Sequence, residues 1–205
     1  MSDVEWVDEL KLRAGFGVTG NDVNKSLQSV ALLSKSDVIT IGGKEVNTYK
    51  VTQNVNPNLK WEKKYEYNLG VDYGFFNNRL TGSLEGYVRN TKDLLWWYDV
   101  PTPPYQYDKL LANAGEMLSY GVELAVTGVA VQKKDVTWTS SLTLAWNENI
   151  ITKLSDPEAG YNYTSSPQGN LYGNKFNGSD SYTQILLEGG KVGQFYGYKF
   201  LGFNN

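Results

Sequence analysis

A period of two residues governs most of this chain. From Trp61 to Phe75, residues Tyr65, Tyr67, Leu69, Val71, Tyr73 and Phe75 take alternate positions. Glu62, Lys64, Glu66, Asn68, Gly70, Asp72 and Gly74 fill the places between them. A helix brings side chains back to one face every 3.6 residues and cannot use such a pattern. A strand, whose side chains alternate across two faces, can. The same alternation marks Leu10–Thr19, Leu80–Arg89, Val122–Thr127 and Val136–Asn147. Asn77-Asn78 separates two of these runs, and Asn tolerates the positive φ of a hairpin turn. The fold class that follows is all-β, with antiparallel up-and-down strands.

The connections alternate in length. Residues 21–58, 96–118 and 155–181 are long, polar and irregular, whereas 77–78 and 132–135 are short. Within the first long stretch, Val23, Leu27, Val30 and Ala31 have helical spacing and predict a short helix. Gln194–Phe200 predicts a last strand of unclear facing, giving about six strands in all. Antiparallel neighbours turn at opposite ends, so alternation gathers the long loops at one end of the sheet. Outer-membrane barrels are built this way. The polar face, with Glu62, Glu66, Asp72, Glu85, Arg89 and Glu123, suits a watery lumen, and the apolar face suits lipid. Trp138 and Trp146 are both on the apolar face. At ~3.3 Å per residue and a tilt near ~40° they stand roughly 20 Å apart in height, close to the spacing of two aromatic girdles. The competing reading packs these rings into the core of a soluble β-domain.

Composition removes most chemistry. The 205 residues include no His and no Cys, so thiol chemistry, disulfides and every His-based nucleophile pair are excluded. A net charge of −3 gives no basic footprint for nucleic acid. Met1–Leu10 is not a signal peptide, and no apolar run is long enough for a membrane helix. No spacing among the 22 Asp and Glu residues singles out a catalytic pair, and no usable calcium loop is present. Gly15, Gly17 and Gly20, with Asp37 further on, match a dinucleotide fingerprint. The strand before them is half polar and no βα alternation follows, so the match is set aside. No catalytic residue, metal or cofactor is assigned. The candidate ligand-binding residues are Trp96, Trp97, Tyr98, Tyr105 and Tyr107, grouped with Pro101, Pro103 and Pro104 in an aromatic loop whose rings could stack on sugars. The alternative places Trp96 and Trp97 in the upper girdle. Tyr161, Tyr163, Tyr172 and Tyr182 form a second, weaker group.

Several stretches resemble the SusC/RagA family of TonB-linked outer-membrane proteins. They are Leu10 to Asn21 (LKLRAGFGVTGN), Asn56 to Glu62 (NPNLKWE), Tyr67 to Gly70, Asn78 to Ser83, Asn90 to Leu95 and Gly193 to Tyr198. Asn113, Gly115, Glu116 and Gly121 to Leu124 resemble a further block, although Ser119-Tyr120 departs from the Asn-Lys of the pattern. The blocks run in order over nearly the whole chain. The resemblance implies a plugged transmembrane barrel of about 22 strands in the cell outer membrane. It implies pairing with a SusD-like surface lipoprotein and import of glycans, or of peptides, with energy relayed by TonB. On that reading residues 1–205 are a single partial barrel region without the plug, the TonB-contacting segment or the signal peptide. The chain is then a non-enzymatic importer segment whose partners are the lipoprotein, TonB, the nutrient and outer-membrane lipid. The alternative function is a soluble or secreted β-domain that binds carbohydrate through its aromatic loops.

Overall fold

The computed structural model describes residues 5–22, 27, 29–155, 165–176, 179–197, 199 and 201–202. Five long strands form one antiparallel sheet: β1 (Val7–Asn21), β4 (Glu62–Phe75), β5 (Leu80–Asp99), β6 (Lys109–Gln132) and β7 (Thr137–Lys153), in the order β1-β4-β5-β6-β7. In the long connection after β1, β2 (Leu33–Ile41) and β3 (Lys44–Val51) make a separate hairpin. After β7, β8 (Ser165–Phe176), β9 (Ser179–Leu187) and β10 (Gln194–Phe195) make a three-stranded sheet. Among the described residues the main sheet is open and does not close into a barrel.

The register shows why alternation dominates the sequence. Leu12 pairs with Val71, Val71 with Leu84, Leu84 with Leu124, and Leu124 with Leu144. Directly paired residues share a face, so this row is apolar across all five strands. The row above runs Ala14, Leu69, Gly86, Val122, Trp146, and the row below Leu10, Tyr73, Gly82, Val126, Leu142. A slip of one residue in any strand would move its apolar set to the opposite face, so the pattern itself fixes the pairing. The short turn between β4 and β5 holds Phe76, Asn77 and Asn78 at φ of 59°, 56° and 57°. The Asn pair therefore does adopt left-handed backbone, in a turn closed by the Phe75–Leu80 pair.

Several sequence expectations are corrected. The described residues contain ten strands, not six. Leu27, Ser29 and Val30 lie in turns and bends instead of a helix, and Val23 lies outside the described residues. The following segment is the β2–β3 hairpin, which turns at Gly42 and Gly43 with φ of 59° and 79°. The irregular segment 96–118 shrinks to residues 100–108, because β5 continues to Asp99 and β6 begins at Lys109. The pairing breaks register between Thr91 and Leu95, and beyond that point both faces of β6 are covered. Alternation is lost there because neither face of this part of β6 is open. Residues 155–181, expected to be loop, contain β8, and among the described residues of Gln194–Phe200 only the first two are strand.

The sealed packing lies at the long-loop end. Tyr98, Ala112 and Ala114 form a small cluster beside Leu110, Leu111, Ile151 and Leu154, all buried. Tyr98 is 3% exposed, and its hydroxyl donates to the Leu154 carbonyl at 3.2 Å.

Candidate functional site

The apolar face of the main sheet is not a core. Leu12 is 70% exposed, Leu84 46% and Leu144 54%, although they occupy one paired row in the middle of the sheet. Leu69 and Leu142 are exposed as well. A contiguous apolar surface of this breadth is what a soluble monomer avoids and what a membrane-facing wall requires.

Aromatic rings bound this surface above and below. At the short-turn end Trp6, Tyr73, Phe75 and Phe76 pack together, with centroids 5.5 Å apart for Trp6–Phe75 and 5.4 Å for Tyr73–Phe75. Toward the long-loop end Phe16 meets Tyr67 at 4.9 Å and Tyr120 meets Trp146 edge-on at 5.8 Å. Tyr67 and Phe75 are eight residues apart on β4, as Trp138 and Trp146 are on β7. Each pair therefore spans roughly 20 Å of height at ordinary strand rise and tilt. The aliphatic rows fall between the two bands.

The opposite face is polar, and Arg13 and Arg89 are matched with carboxylates across its strands, whereas Glu123 is exposed. Arg13 donates two hydrogen bonds to Asp72, at 2.8 and 2.9 Å, and lies 3.5 Å from Glu85. Arg89 pairs with Glu66 at 3.1 Å and stands 4.0 Å from the centre of the Tyr87 ring. The carboxylates Glu62, Glu66, Asp72 and Glu85 foreseen for this face are engaged with Asn21, Arg89 or Arg13. This arrangement positions side chains across a wet surface. It also fixes the tight packing of the strands, because Arg13 and Tyr87 lie over Gly70 and Gly121.

The long-loop end carries the aromatic candidates, and the structure separates them. Trp96 and Trp97, at the end of β5, are 41% and 47% exposed. Tyr98 is buried in the small core and offers no free ring face. Tyr105 is half-buried in the 100–108 loop. Tyr107, also half-buried, donates its hydroxyl to the Val51 carbonyl at the end of β3. Of the weaker group, Tyr182 is exposed on β9, Tyr172 is placed on β8 by its backbone, and Tyr161 and Tyr163 lie outside the described residues.

Sequence reasoning missed the residues that hold this end in place. Asn54 accepts hydrogen bonds from the backbone N–H groups of Gln106 and Tyr107, both at 3.1 Å. It donates to the carbonyls of Tyr107 and Lys109 at 2.6 and 2.8 Å. Asn56 donates to the Leu111 carbonyl at 2.9 Å. Asn113 accepts from the Lys60 N–H at 2.9 Å and donates to the carbonyls of Lys60 and Asp93 at 2.8 and 2.7 Å. Three asparagines thus stitch residues 54–60 to the ends of β5 and β6. The sequence signal was the run Asn54-Val55-Asn56-Pro57-Asn58 before Trp61, where amide side chains can satisfy backbone groups that no strand partner reaches.

Comparison with known proteins agrees with this geometry. A family described as TonB dependent receptor-like, beta-barrel matches residues 3–202. TonB-dependent receptor P3 of Formosa agariphila is 32% identical over 203 residues, which are 98% of this chain and 19% of that protein. TonB-dependent receptor SusC of Bacteroides thetaiotaomicron is 31% identical over 204 residues, 97% of this chain and 20% of that protein. Among solved structures, the RagAB peptide importer in its open-open state superposes with a TM-score of 0.72 at 26% identity, covering 91% of this chain and 18% of the importer chain. This chain spans about a fifth of the length of the curated relatives it matches.

Proposed function

We infer the function from what the chain is: it belongs to the TonB-dependent receptor-like β-barrel family, a family of the outer membrane. We propose that residues 1–205 act as one region of a barrel wall in a nutrient importer. The observation that carries this reading is the apolar row Leu12, Val71, Leu84, Leu124, Leu144, exposed at its three leucines Leu12, Leu84 and Leu144 and held between two aromatic bands, with ion-paired side chains on the reverse face. The apolar face meets lipid, the polar face lines the lumen, and the short turns lie on the periplasmic side. The capped end with the 100–108 loop then faces the medium.

For the whole importer we propose energy coupling through TonB and a SusD-like lipoprotein partner, as the likeness to SusC and to RagAB supports. We propose an oligosaccharide as the nutrient, because Trp96 and Trp97 present exposed indoles at the outer end, where flat rings can stack on sugar faces. The exposed rings of Trp96 and Trp97 at the end of β5, with Tyr105 in the 100–108 loop, are the proposed contacts, whereas Tyr98 and the Tyr107 hydroxyl support this end from within. The experiment is uptake of labelled oligosaccharides and of labelled peptides by cells with and without the gene. Oligosaccharide uptake that depends on the gene and falls in Trp97→Ala is the expected result. Gene-dependent uptake of peptides alone would reassign the substrate.

A further inference from the structure

We propose that the apolar face of β4 and β5 holds a binding site for a lipid whose headgroup carries phosphate. The proposal rests on that face meeting the membrane. Two observations place the site. First, Lys63 and Lys92 are directly paired across β4 and β5, on the apolar face, two rows above Tyr67 and Val88. Both are exposed, and neither makes an ion pair among the described residues. Nearby lysines are neutralised: Lys60 pairs with Asp93 at 3.0 Å, and Lys64, which points to the other face, lies 3.8 Å from Glu66. On β6, Glu116 follows the Thr91–Met117 pair toward Lys92 and is in register with Lys153 on its other side, and it makes no ion pair with Lys92. Like charges directly opposite on a sheet destabilise it, so this pair is a local cost that an anion would remove.

Second, a shallow groove of about 470 Å³ runs over the same two strands further down. Gly86 forms its floor, Leu69, Leu84 and Val88 its sides, and Trp146 its far wall. Gly86 and Lys92 are six residues apart on β5. That is roughly 15 Å of height at ordinary rise and tilt, about the length of one leaflet's acyl chain. An acyl chain in the groove would therefore bring its phosphate between the two ammonium groups. Trp61, whose ring lies against Gly20 beside Lys63, supplies an amphipathic side chain at headgroup height. The lipid-borne phosphate is favoured over free phosphate because the ammonium pair and the groove are aligned on one strand pair.

The test is native mass spectrometry of the full-length protein, purified from outer membranes into a phosphate-free detergent. The probes are lipid A, its dephosphorylated form and inorganic phosphate. The wild type retains phosphorylated lipid, and Lys63→Gln/Lys92→Gln weakens that retention by about tenfold, out of the roughly thirtyfold that two interfacial cations contribute. Retention of the dephosphorylated lipid is unchanged in that variant. Gly86→Leu, which fills a groove floor where an added Cβ would have no neighbour nearer than 3.9 Å, weakens retention of both lipids. Equal retention of phosphorylated lipid by wild type and the double glutamine variant would overturn the site. So would full displacement by inorganic phosphate at equal concentration. Brominated-chain lipids keep the two levels distinct. Tryptophan quenching with no dependence on the lysines overturns the site alone, whereas no quenching at all overturns the membrane-facing reading beneath it.

Discussion

The Tyr87 ring covers Gly121 on the neighbouring strand. A Cβ at position 121 would stand 2.8 Å from the Tyr87 hydroxyl oxygen, 2.9 Å from the ring carbon that bears it, and 2.7 Å from the Trp146 carbonyl oxygen. The two residues are directly paired between β5 and β6. Gly121→Ala must push a ring and a backbone carbonyl apart at once, and such overpacking costs about 1–3 kcal/mol. Gly17→Ala, where a Cβ would meet nothing within 4 Å, is the control and stays near wild type. Urea titration of the folded protein in detergent distinguishes the two. Equal midpoints would show that β6 relaxes more freely than its contacts indicate.

The apolar row makes a second prediction. Leu84→Arg and Leu144→Arg, both in the middle row, cost about 2–4 kcal/mol in lipid, the penalty for a cation at mid-bilayer on a barrel wall. Ser83→Arg, one residue away on the polar face, stays within about 0.5 kcal/mol of wild type, as substitutions on a wet surface usually do. Folding equilibria into vesicles measure both. In a soluble protein the order would be different, because an exposed Leu can become Arg at almost no cost.

Asn54 governs the outer end. Asn54→Ala removes four hydrogen bonds between residue 54 and residues 106–109. Each hydrogen bond at this partly exposed site contributes about 0.5–1.5 kcal/mol net. Amide hydrogen exchange at Gln106 and Tyr107 then accelerates at least about tenfold, as the loss of roughly 1.4 kcal/mol would produce, while exchange in the middle of β4 is unchanged. Tyr107→Phe, which loses only the bond to Val51, gives a smaller effect at the same amides. Uniform acceleration across β4 and β5 would mean that Asn54 stabilises the whole sheet and not the loop alone.

The Arg13–Asp72 pair, despite its two short hydrogen bonds, is a minor contributor. Its side chains are 39% and 28% exposed, and an ion pair so open to water is screened and adds little to stability. Arg13→Gln therefore shifts the urea midpoint only slightly, and the shift shrinks further in high salt. A loss comparable with that of Gly121→Ala would mean the polar face is drier than its geometry shows.

The five strands of the wall were legible because each has one dry face and one wet face, so that β1, β4, β5, β6 and β7 write their orientation into every second residue. The β2–β3 hairpin was not. Its residues are mostly exposed on both faces, and Ser, Lys, Asp and Thr sit among Val and Ile. The helical spacing of Val23, Leu27, Val30 and Ala31 also competes with the signal of the Gly42-Gly43 turn. The aromatic loop was legible as a place but not as a set of roles. Nothing near Tyr98 in the chain reveals that Leu154, 56 positions later, will accept its hydroxyl and bury it. Asn54, Asn56 and Asn113 were visible as residues, and their work was hidden because it is done on backbone atoms supplied by distant strands.

The break in pairing between Thr91 and Leu95 divides one continuous strand into two regimes of tolerance. Below it, from Leu80 to Asn90, gaining or losing a single residue would exchange grease for charge along the rest of the span, since each strand has only two sides to choose from. Above it two opposite shifts have cancelled, so that Leu95–Asn113 continues the register of Thr91–Met117, and the chain is held by amide side chains that bind backbone. Length changes near residues 100–108 are therefore absorbed where they occur. The outer surface can be remodelled to meet a different molecule while the wall beneath keeps its count.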